Sequence, residues 1–350
     1  MAPDARWLEQ VREEAIDPAR PIVDPHHHLW ERPGFRYLLD DFLADQAGHN
    51  VVASVYVQAA SFHRADGPVH LRPVGETEFV NGIAAMSASG RYGKARINAG
   101  IVGHADLRLG AAVAEVLEAH LTIARDRFRG IRHSAASDPD PAVDRAIMIA
   151  AGWDPKKPPP ARPVPPPGLL GDAAFREGVA TLGRYGLSFD AWLYHPQIPE
   201  LTALARARPE VTIILDHVGG VLGIGPYAGR RAEVMARWKA DMAELAACPN
   251  VNVKVGGLTM PICGFGWETG ALPPTSEELA KQTRDWYLWV IDTFGPGRCM
   301  FESNFPVDKS CCSYMVLWNS FKRMTADFSE ADKTALFSGT AKRVYRLHLP

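Results

Sequence analysis

No charge of one sign dominates this chain. Its 38 Lys and Arg are matched by 40 Asp and Glu, a formal net charge of −2. That balance removes the basic footprint nucleic acid requires and the cationic face that anionic membranes attract. Cysteine is scarce. Cys248, Cys263, Cys299, Cys311 and Cys312 are odd in number and never spaced CxxC, which argues against a disulfide framework or a structural zinc cluster and for a reducing, cytoplasmic setting. No apolar run approaches the length that spans a bilayer. The first residues carry Asp4, Glu9, Glu13 and Glu14, which is not the pattern of a signal peptide. No Gly-x-Gly-x-x-Gly follows the first apolar run, which disfavours an open dinucleotide-binding sheet.

What is present is a chain of 350 residues, 47% hydrophobic and 22% charged, enough for one large core in a soluble globular enzyme. Short apolar runs at residues 21–24, 51–57, 97–102, 128–131, 187–193, 211–215, 251–255 and 299–301 read as strands. Amphipathic helical patterns at 76–86, 111–120, 173–185, 232–247 and 276–294 lie between them. Eight strands with interposed helices indicate an α/β protein, a (β/α)8 TIM barrel in a single domain over residues 1–350. Residues 1–19 form an N-terminal extension. Residues 152–168, rich in proline, fit neither helix nor central strand. They follow the fourth strand and are expected over the barrel mouth, as a stiff spacer or as a lid.

Barrel active sites lie at the C-terminal ends of the strands, and polar residues gather there in the sequence. The first strand ends at His26 and His28, the second at Gln58, the fourth at Arg132-His133 and the fifth at His195. The sixth ends at Asp216-His217, the seventh at Lys254 and the eighth at Glu302-Ser303-Asn304. Strand alternation puts Asp24, His26 and His28 on one face and His27 on the other. Two imidazoles so spaced converge on one divalent ion. Alternation also puts His217 in phase with Ile213 and Leu215, and His195 in phase with Phe189, Ala191 and Leu193; both are expected to point inward, which turns Asp216 toward the helices. Only one of Arg132 and His133 can face inward, and an inward Arg132 would anchor an anion. Lys254 inside the mouth needs a partner, either a substrate carboxylate or Glu302. Residues 256–274 carry Met260, Phe265 and Trp267 among glycines, which suits an apolar pocket wall or an oligomer contact.

Four stretches carry a resemblance: Asp24-Pro25-His26-His27-His28-Leu29-Trp30, Leu215-Asp216-His217-Val218-Gly219, Val253-Lys254-Val255-Gly256, and residues 298–307 around Glu302-Ser303-Asn304-Phe305-Pro306. In this order the chain resembles the amidohydrolase-2 branch of the amidohydrolase superfamily, with its metal-dependent hydrolases, lactonases and decarboxylases. The resemblance implies a TIM barrel, a first-strand His-x-His pair, a sixth-strand His and an active-site carboxylate after strand eight. The branch has Gly-Ser-Asp-Trp-Pro at that last position; here Asn304 stands where the Asp would be. A neutral amide is no proton acceptor, so Glu302, two residues earlier, or Asp308 in the loop is expected to supply the charge.

The reading that follows is a lactonase-like hydrolase of a small, carboxylate-bearing cyclic ester. A divalent metal, zinc or manganese, would be held by His26, His28 and His195, with His217, Glu302 and Asn304 catalytic and Arg132, His133, Lys254, Gln58 and Trp267 holding substrate. The Asn304 departure keeps three alternatives open: a metal-independent lactonase, a non-oxidative decarboxylase, and a degenerate barrel that only binds. Partners are a small molecule and, through the apolar stretch 337–349, a second copy of the chain, with neither nucleic acid nor membrane.

Overall fold

The computed structural model describes residues 4–159 and 164–349. Eight parallel strands form one sheet in sequential order: β1 (Ile22–His27), β2 (Val51–Val57), β3 (Arg96–Gly103), β4 (Phe128–Arg132), β5 (Ser188–Ala191), β6 (Ile213–Leu215), β7 (Val251–Val255) and β8 (Cys299–Phe301). The ring is drawn together where His28 N–H donates to the Phe305 carbonyl at 2.7 Å and Asn304 N–H donates to the His26 carbonyl at 2.9 Å. Helices stand between the strands, so the architecture is a (β/α)8 barrel. Part of the proline-rich stretch, residues 160–163, lies outside the described residues.

Two apolar layers divide the strand side chains. Val23, Val55, Val57, Val102, Ile214 and Met300 pack in the lumen. Ile213, Leu215, Phe189, Val253 and Phe301 pack outward against helices. The lumen is closed at the bottom by the chain's own end. Ala341, Val344, Tyr345 and Leu347 join the lumenal cluster, so the apolarity of stretch 337–349 is accounted for inside one molecule.

Several helices were not evident from periodicity, among them Leu39–Asp45, Pro141–Ala150, Ile198–Ala207 and Tyr314–Met324. Two carry proline in the first turn, Pro141 and Pro199, which is accepted there because the N–H groups have no helical partner. Asp140 caps one of them by accepting from Ala142 N–H at 2.9 Å. The helix Pro141–Ala150 is packed over the mouth: Ile147, Ala150 and Ala151 share a cavity wall with Trp30, Met260 and Val307.

The helix Ala173–Arg184 lies very close to the 3-10 stretch Leu107–Val113. A Cβ on Gly178 would fall 2.1 Å from the Leu107 carbonyl oxygen. Ala is the better helix former, by about 1 kcal/mol. Gly178→Ala is nevertheless expected to destabilise the protein by ~1–3 kcal/mol through overpacking. Urea denaturation reads this directly; an unchanged or higher midpoint would contradict the close approach.

Candidate active site

At the upper ends of the strands, side chains from six of them meet. Lys254 on β7 lies in the lumen with no solvent exposure. Its Nζ donates to Asp190 Oδ2 on β5 at 2.8 Å and sits 3.0 Å from Asp216 Oδ1 and 3.2 Å from His26 Nδ1. Burial pulls the Lys254 pKa down, but Asp190, Asp216 and Glu302 outweigh it and hold it above its ordinary value, so the ammonium persists. Tyr345 reaches up from the barrel floor and donates its hydroxyl to Asp190 Oδ2 at 2.5 Å.

His26 is the hub. Its Nδ1 faces Lys254 and, at 2.9 Å, Glu302 Oε2. Its Nε2 lies 3.3 Å from His28 Nε2 and 3.3 Å from Arg132 Nη1. His28 Nδ1 donates to the Val57 carbonyl at 2.7 Å, which leaves its Nε2 as a lone pair. His217 is tied to Glu302: its backbone N–H and its Nδ1 both reach Oε1, at 3.1 and 2.7 Å. With the Nδ1 proton on that carboxylate, His217 Nε2 is free to accept. Arg132 Nη2 donates to the Gln58 carbonyl, and Nη1 lies 3.7 Å from Asp216 Oδ2. The only members with any surface are His28, His217 and Arg132, at 3%, 3% and 8%; these are the groups a substrate meets.

The electrostatics favour neutral imidazoles beside fixed charges. Burial, with Arg132 nearby, holds His28 well below the usual range, and burial together with Lys254 lowers His26. Burial pushes the Glu302 carboxyl up, but the His217 and His26 rings pull harder and hold it at about 2.

Two glycines make room for this packing. A Cβ on Gly256 would meet Glu302 Cγ at 2.4 Å, and one on Gly257 would meet His217 Cβ at 2.5 Å. His217 itself has φ +56° and Val218 φ +47°. That left-handed turn swings the imidazole back over the mouth.

The structure therefore brings His26, His28, His217, Glu302, Arg132 and Lys254 together, and corrects several expectations. His195 is elsewhere: its Nδ1 accepts from Leu222 N–H at 3.2 Å and its ring lies 5.0 Å from Tyr227. His133 faces the helices, accepting from Leu107 N–H at 3.1 Å. Gln58 contributes its carbonyl, while its side chain accepts from Ala60 N–H at 3.1 Å. Trp267 stacks on Phe265 at 4.4 Å, away from the cluster. Asn304 has φ +54°, which ends the strand alternation from Glu302, and its Nδ2 donates to Asp308 Oδ1 at 3.0 Å. Asp24 faces the helices, accepting from Tyr314 OH at 3.1 Å, because the β1 register shifts between Asp24 and His27.

Asp216 faces the lumen, opposite to expectation, and so does Asp190, which sequence reasoning missed. The expected phase of β5 and β6 is reversed. Strands of a parallel sheet are apolar on both faces, so alternation alone does not say which face is inside. The available signal was Asp190 itself, one acid between Phe189 and Ala191.

The cluster also answers whether the residues fit a divalent ion. His26, His217 and Glu302 place ligand atoms within 4.8 Å of one another. Three buried carboxylates (Asp190, Asp216, Glu302) face two cations (Lys254, Arg132), so the centre has room for further positive charge. Glu302 Oε2 lacks a hydrogen-bond partner. His26 would hold an ion with its proton on Nδ1, which faces this oxygen. The 3.3 Å between the His26 and His28 Nε2 atoms matches the span of two ligands on a tetrahedral ion, about 3.3 Å for metal–nitrogen distances of about 2.0–2.1 Å. The residues fit the group.

A barrel with such a cup at the C-terminal ends of its strands carries its polar groups where barrel enzymes place their active sites. The model of the amidohydrolase-2 family, described as amidohydrolase, matches residues 23–347, and the chain belongs to that family. It is 33% identical to the uncharacterised protein y4mH of Sinorhizobium fredii, over 93% of this chain and 98% of that one. It is 28% identical to an L-fucono-1,5-lactonase of Burkholderia multivorans, over 94% and 97% of the two chains. Among solved structures, an amidohydrolase from Burkholderia multivorans with bound zinc superimposes with a TM-score of 0.68 at 26% identity, covering 94% of this chain and all of that one. The protein is a hydrolase of this family.

Removing the ammonium tests the electrostatic core. Lys254→Met strands Asp190 and Asp216 without their cation and is expected to cost ~3–5 kcal/mol. Adding Asp190→Asn should restore part of that loss in a double-mutant cycle read by urea denaturation. Strict additivity would show that the two groups do not interact.

Proposed function

We propose that this protein hydrolyses a small cyclic ester, a lactone bearing a carboxylate, at the cup formed by His26, His28, His217, Glu302, Lys254 and Arg132. The observation that carries the reading is the Glu302–His217 pair at 2.7 Å beside the guanidinium of Arg132, which keeps a small opening at the mouth. Likeness to a chain named L-fucono-1,5-lactonase supports the choice of ester.

Glu302 fixes the Nδ1 proton of His217 and stabilises the imidazolium that forms when Nε2 takes a proton from water. Water adds to the lactone carbonyl, and Arg132 faces the oxygen that becomes negative. Its buried Nε has no hydrogen-bond partner among the described residues, a donor capacity that the oxyanion or a carboxylate on the ring would use. The ring C–O bond then breaks, His217 returns its proton to the leaving alkoxide, and a hydroxy acid departs. Lys254 keeps its charge and orients His26. A divalent ion, zinc or manganese, held by His26 and His28, would polarise the carbonyl and acidify water.

One observation favours a metal-independent route as the second reading: Arg132 Nη1 already stands 3.3 Å from His26 Nε2, where it can polarise a carbonyl by itself.

The two routes separate by metal analysis of untagged protein alongside turnover on a lactone panel. The expected result is a stoichiometric ion, lost together with hydrolysis in His26→Ala. An active, metal-free protein would leave the Arg132 route standing and remove the ion. Glu302→Gln, close in shape, should lower kcat by ~10²–10⁴-fold while the unfolding midpoint stays measurable and cooperative. Unchanged turnover would overturn the role given to Glu302.

A further inference from the structure

At the end of the barrel opposite the cup, a cleft of about 550 Å³ opens beneath the starts of β3 and β4. Arg96, Arg125, Arg127, Arg129, Arg346 and His348 line it, with Asp126 as the only acid on its walls. In a chain whose net charge is −2, five arginines in one concavity are a marked local excess. None of the five forms an ion pair with a carboxylate among the described residues. Arg127 Nη1 donates to Asn81 Oδ1 at 2.9 Å and Arg96 Nη1 to the Lys94 carbonyl at 3.4 Å. The Arg125 and Arg346 side chains make no hydrogen bond or ion pair among the described residues.

Arg129 is the most constrained. It is 7% exposed. Its Nη1 and Nη2 donate to the carbonyls of Phe128 and Asp126 at 3.0 and 2.5 Å, and its Nε has no partner. Burial lowers its pKa, and Arg346 and Arg127 add to that by repulsion; burial lowers Arg346 as well. A buried donor left unpaired among repelling cations is costly, and an anion relieves both costs. One wall differs: Ala84, Ala88, Ile97 and Ala99 are small and apolar. The volume lies within the range of small-molecule sites, roughly 300–1,000 Å³.

We propose that this cleft is a binding site for a compact polyanion carrying two or more phosphates, either free oligophosphate or the phosphate chain of a nucleotide. Guanidinium forks match phosphate oxygens in pairs, and five of them exceed what a single monoanion can engage. The site is separate from the cup and shares with it only the C-terminal segment, in which Tyr345 supports Asp190 and Arg346 lines the cleft.

The test is calorimetric titration of the full chain, without magnesium and at fixed ionic strength, with pyrophosphate and with ATP. One-to-one binding is expected. The double variant Arg125→Gln/Arg346→Gln should weaken binding by ~100-fold, roughly tenfold for each guanidinium lost. Neither side chain makes a hydrogen bond or ion pair among the described residues, so the variant's unfolding midpoint and its activity at the cup should stay as in the wild type. ATP binding tighter than pyrophosphate, with Ala88→Trp removing only that advantage, identifies a nucleotide; equal affinities identify free oligophosphate. No binding of either probe up to about 1 mM, or binding that the double variant leaves unchanged, overturns the proposal.

Discussion

The upper half of this barrel is organised around one buried ammonium. Lys254 has no access to water, and an isolated charge in such a place costs many kcal/mol. Asp190 and Asp216, from two other strands, supply the counter-charge at 2.8 and 3.0 Å. Tyr345 completes Asp190 from below. This triangle sets the position of His26, whose Nδ1 lies 3.2 Å from Lys254 Nζ. His26 in turn faces His28, Arg132 and Glu302. The chemistry at the mouth therefore depends on a residue from the C-terminal plug at the other end of the lumen.

The barrel itself was legible in the sequence because its signal is coarse. Eight apolar runs separated by helical patterns have few solutions, and the ends of β2, β7 and β8 fall where the runs end. The side on which a residue faces is a finer matter. In β4 the pair Arg132-His133 could be split only by asking which of the two is inside, and Arg132 is. In β6 both faces are apolar, Ile214 toward the lumen and Ile213 and Leu215 toward the helices, and in β5 the apolar pair Phe189 and Ala191 faces the helices. Hydrophobic alternation then reads equally well in either phase. Phe189 and Ala191 looked like lumenal residues for that reason, and His195 was carried inward with them. The lone acid of β5 carried the correct phase. An ionisable residue within such a strand has to find a partner, and the lumen held Lys254.

His217 shows a different limit. Taken in phase with Ile213 and Leu215 it would point at the helices, since both pack in the outer layer. It enters the cup all the same, because the chain leaves the strand after Asp216 and turns left-handed at His217 and Val218. Two errors, one of phase and one of strand length, cancelled to give the expected placement. The turn needs a backbone without a side chain beside His217, and Gly257 on β7's exit provides it, while Gly256 leaves the same room for Glu302.

The departure at Asn304 follows the same logic of local backbone and nearby charge. Its φ of +54° is a conformation that Asn tolerates better than most residues. Its amide nitrogen donates to Asp308 Oδ1 at 3.0 Å. An aspartate at this position would set two carboxylates against each other in a fully buried site, where burial already pushes Asp308 up to about 7. With an amide at 304 and an acid at 308, the pair is a neutral-side hydrogen bond that steadies the loop closing β8 onto β1. Glu302, at the strand end, is the carboxylate that two imidazoles hold ionised, and the proposed reading gives it the charge expected after the eighth strand. Asn304 and Glu302 thus divide the work: the amide bonds to Asp308, and the carboxylate contacts His26 and His217.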